Sequence, residues 1–215
     1  MKISKLELTN FRGYRNVVVE FDENFNVIIG KNDIGKSTIL EALEIFFNNE
    51  TVKIDIDDHN VHANEEKSMA IQVSFKPEDK EYTIDTVPTD LNKEYLLDEN
   101  SNLSVKKVWD CSKDKLSAAS LKTYLVANYP TTFNTPLISM KIADLKKLLD
   151  SYEAQLDINE VKKSKSSSIR QAIYEVENLD EISLKEFISG NQKKNINFIA
   201  LEDVSDPRNI GSIIR

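Results

Sequence analysis

The chain has 215 residues, of which 40% are hydrophobic and 30% charged, and it carries a net charge of −8. This is enough for one large domain or two small ones with the composition of an ordinary globular fold. It argues against a chain-wide electrostatic attraction to nucleic acid. No apolar run approaches the roughly 18 residues of a membrane span, and Met1–Glu7 lacks the apolar core of a signal peptide. The lone Cys111 has no partner for an internal disulfide, which fits a reducing, cytoplasmic setting. It lies between Asp110 and Ser112 in a polar stretch and reads as structural rather than reactive.

Residues 2–8, with Ile3, Leu6 and Leu8 apolar, predict a first strand. Phe11-Arg12-Gly13-Tyr14 reads as a turn, and Val17, Val19 and Phe21 give a second strand. The apolar run Phe25–Ile29 predicts a third, buried strand. Gly30-Lys31-Asn32-Asp33-Ile34-Gly35-Lys36-Ser37 follows, a G-x-x-x-x-G-K-S phosphate loop, and residues 38–47 then have helical apolar spacing. Strand, glycine loop and helix together form the context in which this motif works. The glycines let backbone N–H groups turn toward phosphate oxygens, and the helix start adds partial positive charge. Gly30, Asn32, Gly35, Lys36, Ser37 and Thr38 are therefore the expected nucleotide site. Lys36 is expected to reach the β/γ-phosphates and the Ser37 hydroxyl to ligate Mg²⁺.

Beyond the helix the chain turns acidic. Asp55, Asp57, Asp58, His59 and His62 allow a metal site but lack a fixed ligand spacing and read better as hydrated loop residues. Met69–Phe75 predicts a strand, with Glu81–Asp85 as its hairpin partner. A further strand pair is expected around Tyr95–Leu97 and Leu103–Val105, and a helix over residues 142–156. Lys162–Ser168 is rich in Lys and Ser and reads as a linker. Lys162, Lys163, Lys165 and Arg170 form a candidate basic cluster.

The Asn in the phosphate loop, together with the upstream Leu8-Thr9-Asn10-Phe11-Arg12-Gly13-Tyr14, resembles the SMC/RecF group of ABC-type ATPase heads. Within it, Gly-Lys-Asn-Asp-Ile-Gly-Lys-Ser looks most like the overcoming-lysogenization-defect (OLD) family, in which an ATPase head is joined to a Toprim nuclease. Asn92–Leu97, Ala127–Pro130 and Ser168–Tyr174 also look OLD-like. The resemblance, over residues 1–175, implies an α/β P-loop head with N-terminal strands, Mg-ATP as ligand, pairing with a second head or a partner ATPase chain, and DNA as the target of the complete protein. It implies that Arg12 helps hold the phosphates, for which a guanidinium is well suited. It also implies that Gln72 is a candidate for the Mg²⁺- and water-sensing glutamine. Such heads also need a signature turn and an Asp-Glu strand end for hydrolysis. Residues 187–194 and 198–203 only echo these, with Glu202 and Asp203 in reversed order, so the head is expected to be incomplete.

The last residues, Phe198–Leu201 followed by Asp206-Pro207-x-Asn209-x-Gly211-x-x-x-Arg215, resemble the first motif of SpoU/TrmH-type ribose methyltransferases. That resemblance implies RNA as substrate, S-adenosylmethionine as cofactor, Asn209 as a loop organiser and Arg215 as the group activating the ribose hydroxyl. The expected organisation is a head lobe over 1–160, a linker or helical extension over 161–178 and a strand-loop-helix fragment over 179–215. Residues 176–215 are expected to be loosely attached and dispensable for stability. The leading reading is an ATP-binding head of an OLD-like, SMC/RecF-type ATPase. A methyltransferase fragment and a non-catalytic nucleotide-sensing protein are the alternatives.

Overall fold

A computed structural model describes residues 1–31, 35–48, 51–63, 65–78, 81–84, 87–152, 158–177, 179 and 182–188. In chain order the elements are β1 (Lys2–Phe11), β2 (Tyr14–Glu20), α1 (Lys36–Phe46), β3 (Ser68–Lys76), β4 (Tyr82–Ile84), β5 (Val87–Thr89), β6 (Leu103–Asp110), β7 (Leu121–Pro130), α2 (Ile142–Asp150), α3 (Ile158–Val161), α4 (Ser166–Val176) and β8 (Ile182–Ile188). Six strands form one sheet in the order β2-β1-β3-β6-β7-β8, and β4 and β5 form a separate hairpin. Every neighbouring pair in the large sheet is antiparallel.

The β1 sequence explains how the sheet buries one face. Ile3 and Leu6 are three residues apart, so strict alternation would send them to opposite sides. A register shift between Ile3 and Lys5 in the ladder with β3 sets Ile3 opposite Phe75 and Leu6 opposite Val73, a bulge that returns both to the core. Leu6, Leu8, Ile71, Val73, Phe75 and Val105 then meet Ile39, Ala42, Leu43 and Phe46 of α1 in a single apolar cluster. The α1 spacing i, i+3, i+4, i+7 is what lays one stripe of a helix on a sheet. Lys107 of β6 is buried beneath the end of α1, where its Nζ donates to the carbonyl of Phe46 and to Asn48 Oδ1, each at 2.7 Å. Burial pulls this ammonium down to about 8.

A second core lies where β7 ends. Tyr129, Phe133, Leu137, Leu145, Leu149, Ile169 and Ile173 gather α2 and α4 around it. Arg170 of α4 is fully buried and holds Glu94 through Nε at 2.7 Å and Nη2 at 3.0 Å, a forked pair that offsets the desolvation of both charges.

Six sequence expectations change here. α2 ends at Asp150, short of the expected residue 156, and α4 begins at Ser166, inside the stretch read as a linker. Phe25–Ile29 joins no ladder among the described residues. Phe25, Val27 and Ile29 are 64%, 59% and 85% exposed, because both edges of β1 are already taken by β2 and β3 and an apolar run becomes a strand only where an edge receives it. Tyr82–Ile84 pairs with Val87–Thr89 rather than with β3, since β3 is already paired by β1 and β6. Tyr95–Leu97 is turn and coil, with Tyr95 at φ +54. Finally, β8 pairs with β7 along all seven of its residues, and Lys106 reaches across the sheet to Glu186 at 2.7 Å. Residues 182–188 are thus an edge strand of the head's own sheet, not a loose attachment. The rest of the proposed tail, including Phe198–Leu201, Glu202, Asp203, Asn209 and Arg215, lies outside the described residues.

Candidate nucleotide site

The site is built at the start of α1. Gly35 is the N-cap residue, at φ +90 and ψ 12, a left-handed conformation that glycine adopts without steric cost. It brings no side chain to cap the helix, so the first-turn N–H groups keep their donor capacity for a ligand. The first turn holds no acidic residue to oppose an anion. The phenol of Tyr14, from the far side of the β1–β2 turn, packs against Gly35 so closely that a Cβ there would stand 2.7 Å from Tyr14 Cζ. Lys36 folds back over the loop. Its Nζ donates to the carbonyl of Gly30 at 2.7 Å and also to that of Lys31. The ammonium therefore spans the two ends of the glycine loop, where a phosphate seated in that loop would meet it. Ser37 is exposed and Thr38 half-buried on the same first turn. Asn32 lies outside the described residues.

Arg12 is brought to the same helix. Its Nε donates to Asp58 Oδ1 at 2.7 Å, and its Nη1 donates to Glu41 on α1. Burial works against the charge, but the hydrogen bonds that Arg12 donates to Glu41 and Asp58 outweigh it and raise the guanidinium pKa. Asp58 ends a 3-10 turn, Ile56–Asp58, which is fixed by reciprocal side-chain caps between Asp55 and Asp58. The acidic stretch is therefore a holder of the arginine turn. His59 bonds through Nε2 to the Glu66 carbonyl at 2.8 Å, and no group of three or more ligand-type side chains converges among the described residues.

Gln72 is not part of this site. It sits in the middle of β3, between the core residues Ile71 and Val73, so it points to the sheet face away from α1. There its amide donates to Glu7 Oε1 at 2.9 Å. The basic cluster also dissolves: Arg170 is buried, whereas Lys162 pairs with Asp150. Sequence reading missed Glu41 and the roles of Asp58 and Tyr14 at this site. The Asp-x-x-Asp spacing of Asp55 and Asp58 is a capping signal that points to an ordered turn, but nothing local shows which side chain that turn would hold.

The geometry suits Mg-nucleotide. The donor set is backbone N–H groups, one lysine and one arginine, with a hydroxyl at Ser37 for the metal, and the cradle is too tight for a side chain at Gly35. Such a set favours a polyanion with its cation.

The model of the AAA ATPase domain family matches residues 1–205. Among curated proteins, the DNA replication and repair protein RecF of Oceanobacillus iheyensis is 49% identical over 45 residues, which is 21% of this chain and 12% of that protein. RecF of Agathobacter rectalis is 34% identical over 85 residues, 40% of this chain and 23% of that protein. The chain thus spans less than a quarter of either relative. A solved structure described as the recombination mediator RecF with ATP covers 74% of this chain and 39% of its own, at 17% identity and a TM-score of 0.38. With the family match covering nearly the whole chain, the protein belongs to the AAA ATPase domain family, as an ATPase head of the kind that resembles RecF.

Proposed function

We propose that this chain binds Mg-ATP at the start of α1 and acts as the nucleotide-binding head of an SMC/RecF-like ATPase that works in pairs on DNA. One observation carries the reading: Lys36 spans the carbonyls of Gly30 and Lys31 beside the left-handed Gly35 cap, inside a match to an ATPase family. Gly30, Gly35, Lys36, Ser37 and Thr38 hold the phosphates, Asn32 completes the loop, Arg12 approaches from the hairpin turn, and Ser37 ligates Mg²⁺. Bound there, the metal would supply positive charge that offsets the charge of the phosphates. Lys36 supplies a mobile cation that leaves two carbonyls for the phosphate, and Arg12 supplies a fixed one.

Paired heads and DNA are drawn from the resemblance of the loop to SMC, RecF and OLD proteins and from the repair role in the relatives' name. The OLD-like loop extends the proposal to control of a nuclease. Hydrolysis by the chain alone is expected to be very slow, because a signature turn and a correctly ordered acidic strand end are not legible in it.

Calorimetry with Mg-ATP tests the site. Lys36→Ala should weaken binding about ten- to a hundredfold, the range for loss of one charge-assisted hydrogen bond. It should leave the thermal midpoint unchanged, since the hydrogen bonds of Lys36 among the described residues go to exposed loop carbonyls. Equal affinity for the two proteins would refute the assignment.

A further inference from the structure

The turn that carries Arg12 is held against its own backbone preference. Asn10 and Arg12 both lie in the left-handed region, at φ +51 and +48, which side-chain-bearing residues adopt only under constraint. The Asn10 side chain is held by Glu66 and by the Ser68 carbonyl, whereas Arg12 is held by the short segment 58–60. The Asp58 carbonyl accepts the Arg12 N–H at 2.6 Å, and the Asn60 N–H donates to the Asn10 carbonyl at 2.9 Å. The Asn60 side-chain amide donates to the Arg12 carbonyl at 2.6 Å. The Asp58 carboxylate is used on both oxygens, by Arg12 Nε at 2.7 Å and by the Asp55 N–H at 2.8 Å. Backbone, carbonyl and guanidinium of Arg12 are thus all fixed by Asp58 and Asn60, residues far from the glycine loop in sequence.

Glu41 stands differently. It holds the Nη1 side of the guanidinium from α1, five residues past Lys36, or about 7.5 Å along the helix at 1.5 Å per residue. Its side chain is 34% exposed, against 14% for Asp58. Glu41 is the more exposed and more screened of the two partners, and a phosphate with more charge and more acceptors outcompetes it.

We propose that Asp58 and Asn60 are positioning residues of the nucleotide site, which hold the Arg12 turn while the guanidinium exchanges Glu41 for a phosphate of the bound nucleotide. The proposal rests on the nucleotide reading above and adds the residues that aim the arginine and the one that releases it.

The test is a double-mutant cycle read by Mg-ATP calorimetry and thermal unfolding. Arg12→Ala and Asp58→Asn should each weaken ATP binding about tenfold, and Asp58→Asn should cause no further loss when Arg12 is already Ala. Glu41→Gln, which leaves the 58–60 segment intact and covers the case in which Asp58→Asn does not fold, should tighten ATP binding about threefold with Arg12 present and leave it unchanged in Arg12→Ala. If Asp58→Asn and Glu41→Gln change the thermal midpoint but shift ATP affinity equally with and without Arg12, or not at all, while Lys36→Ala still weakens binding, these residues are structural and the proposal is overturned. If Lys36→Ala binds ATP as well as the wild type, the nucleotide reading itself fails and the proposal falls with it.

Discussion

At Gly35 two demands meet on one residue. The chain must turn into α1 through a left-handed conformation, and the Tyr14 ring must lie against the turn. Alanine fails both, since it is strained at φ +90 and its Cβ would press into Tyr14. Gly35→Ala should therefore displace Tyr14 or the loop at a cost of about 1–3 kcal/mol in stability, and it should weaken Mg-ATP binding as well. Chemical denaturation beside calorimetry reads both effects, and an unchanged midpoint with unchanged affinity would show that the turn is not held as described. The glycine requirement was legible in the sequence because a G-x-x-x-x-G-K-S loop before a helix needs it. The Tyr14 contact was not, because it depends on where the β1–β2 turn lands on α1. The pairing of Arg12 with Asp58 escaped sequence reading for the same reason: 46 residues separate them.

At the scale of elements, local patterns worked where a single face is buried and failed where pairing partners had to be chosen. β1, β2, β3, α1 and α2 were legible from alternation and helical spacing. Phe25–Ile29, Tyr82–Ile84 and Tyr95–Leu97 also carry apolar residues, yet among the described residues none joins the large sheet, and nothing local in their patterns tells them from the strands that do. β8 is the opposite case. Residues expected to be dispensable form a full-length edge ladder with β7 and an ion pair from Lys106 to Glu186. Truncation after residue 178 should destabilise the protein by about 3 kcal/mol or more, at roughly 1 kcal/mol per net hydrogen bond, and lower its thermal midpoint by at least about 6 °C. A truncated protein that melts with the full chain would mean that β8 does not contribute to the sheet. The buried Arg170–Glu94 pair and the Tyr129–Tyr174 hydroxyl contact at 2.8 Å likewise join residues distant in sequence, so the second core was visible only as scattered apolar positions.

For the whole molecule, nucleotide binding and turnover are separate properties. On the proposed reading, the described residues offer a phosphate cradle, an arginine turn held by Asp58 and a hydroxyl for Mg²⁺. Phosphoryl transfer also needs a poised water and compensating charge at the transferred group. The isolated chain should therefore bind Mg-ATP and turn it over far more slowly than the roughly 1 s⁻¹ at the lower end of typical enzymes. A coupled phosphate-release assay giving that rate, abolished by Lys36→Ala, would show that Glu202 and Asp203 do more than echo an acidic strand end. Whether nucleotide sits at the start of α1 can be read from the N–H chemical shifts of the isotope-labelled chain during titration with Mg-ATP. The largest changes should fall on Gly35, Lys36, Ser37 and Thr38 and on the Arg12 guanidinium, and Lys36→Ala should shift the titration to higher ATP. Changes centred on another surface, with the start of α1 unmoved at saturating nucleotide, would contradict this placement of the nucleotide.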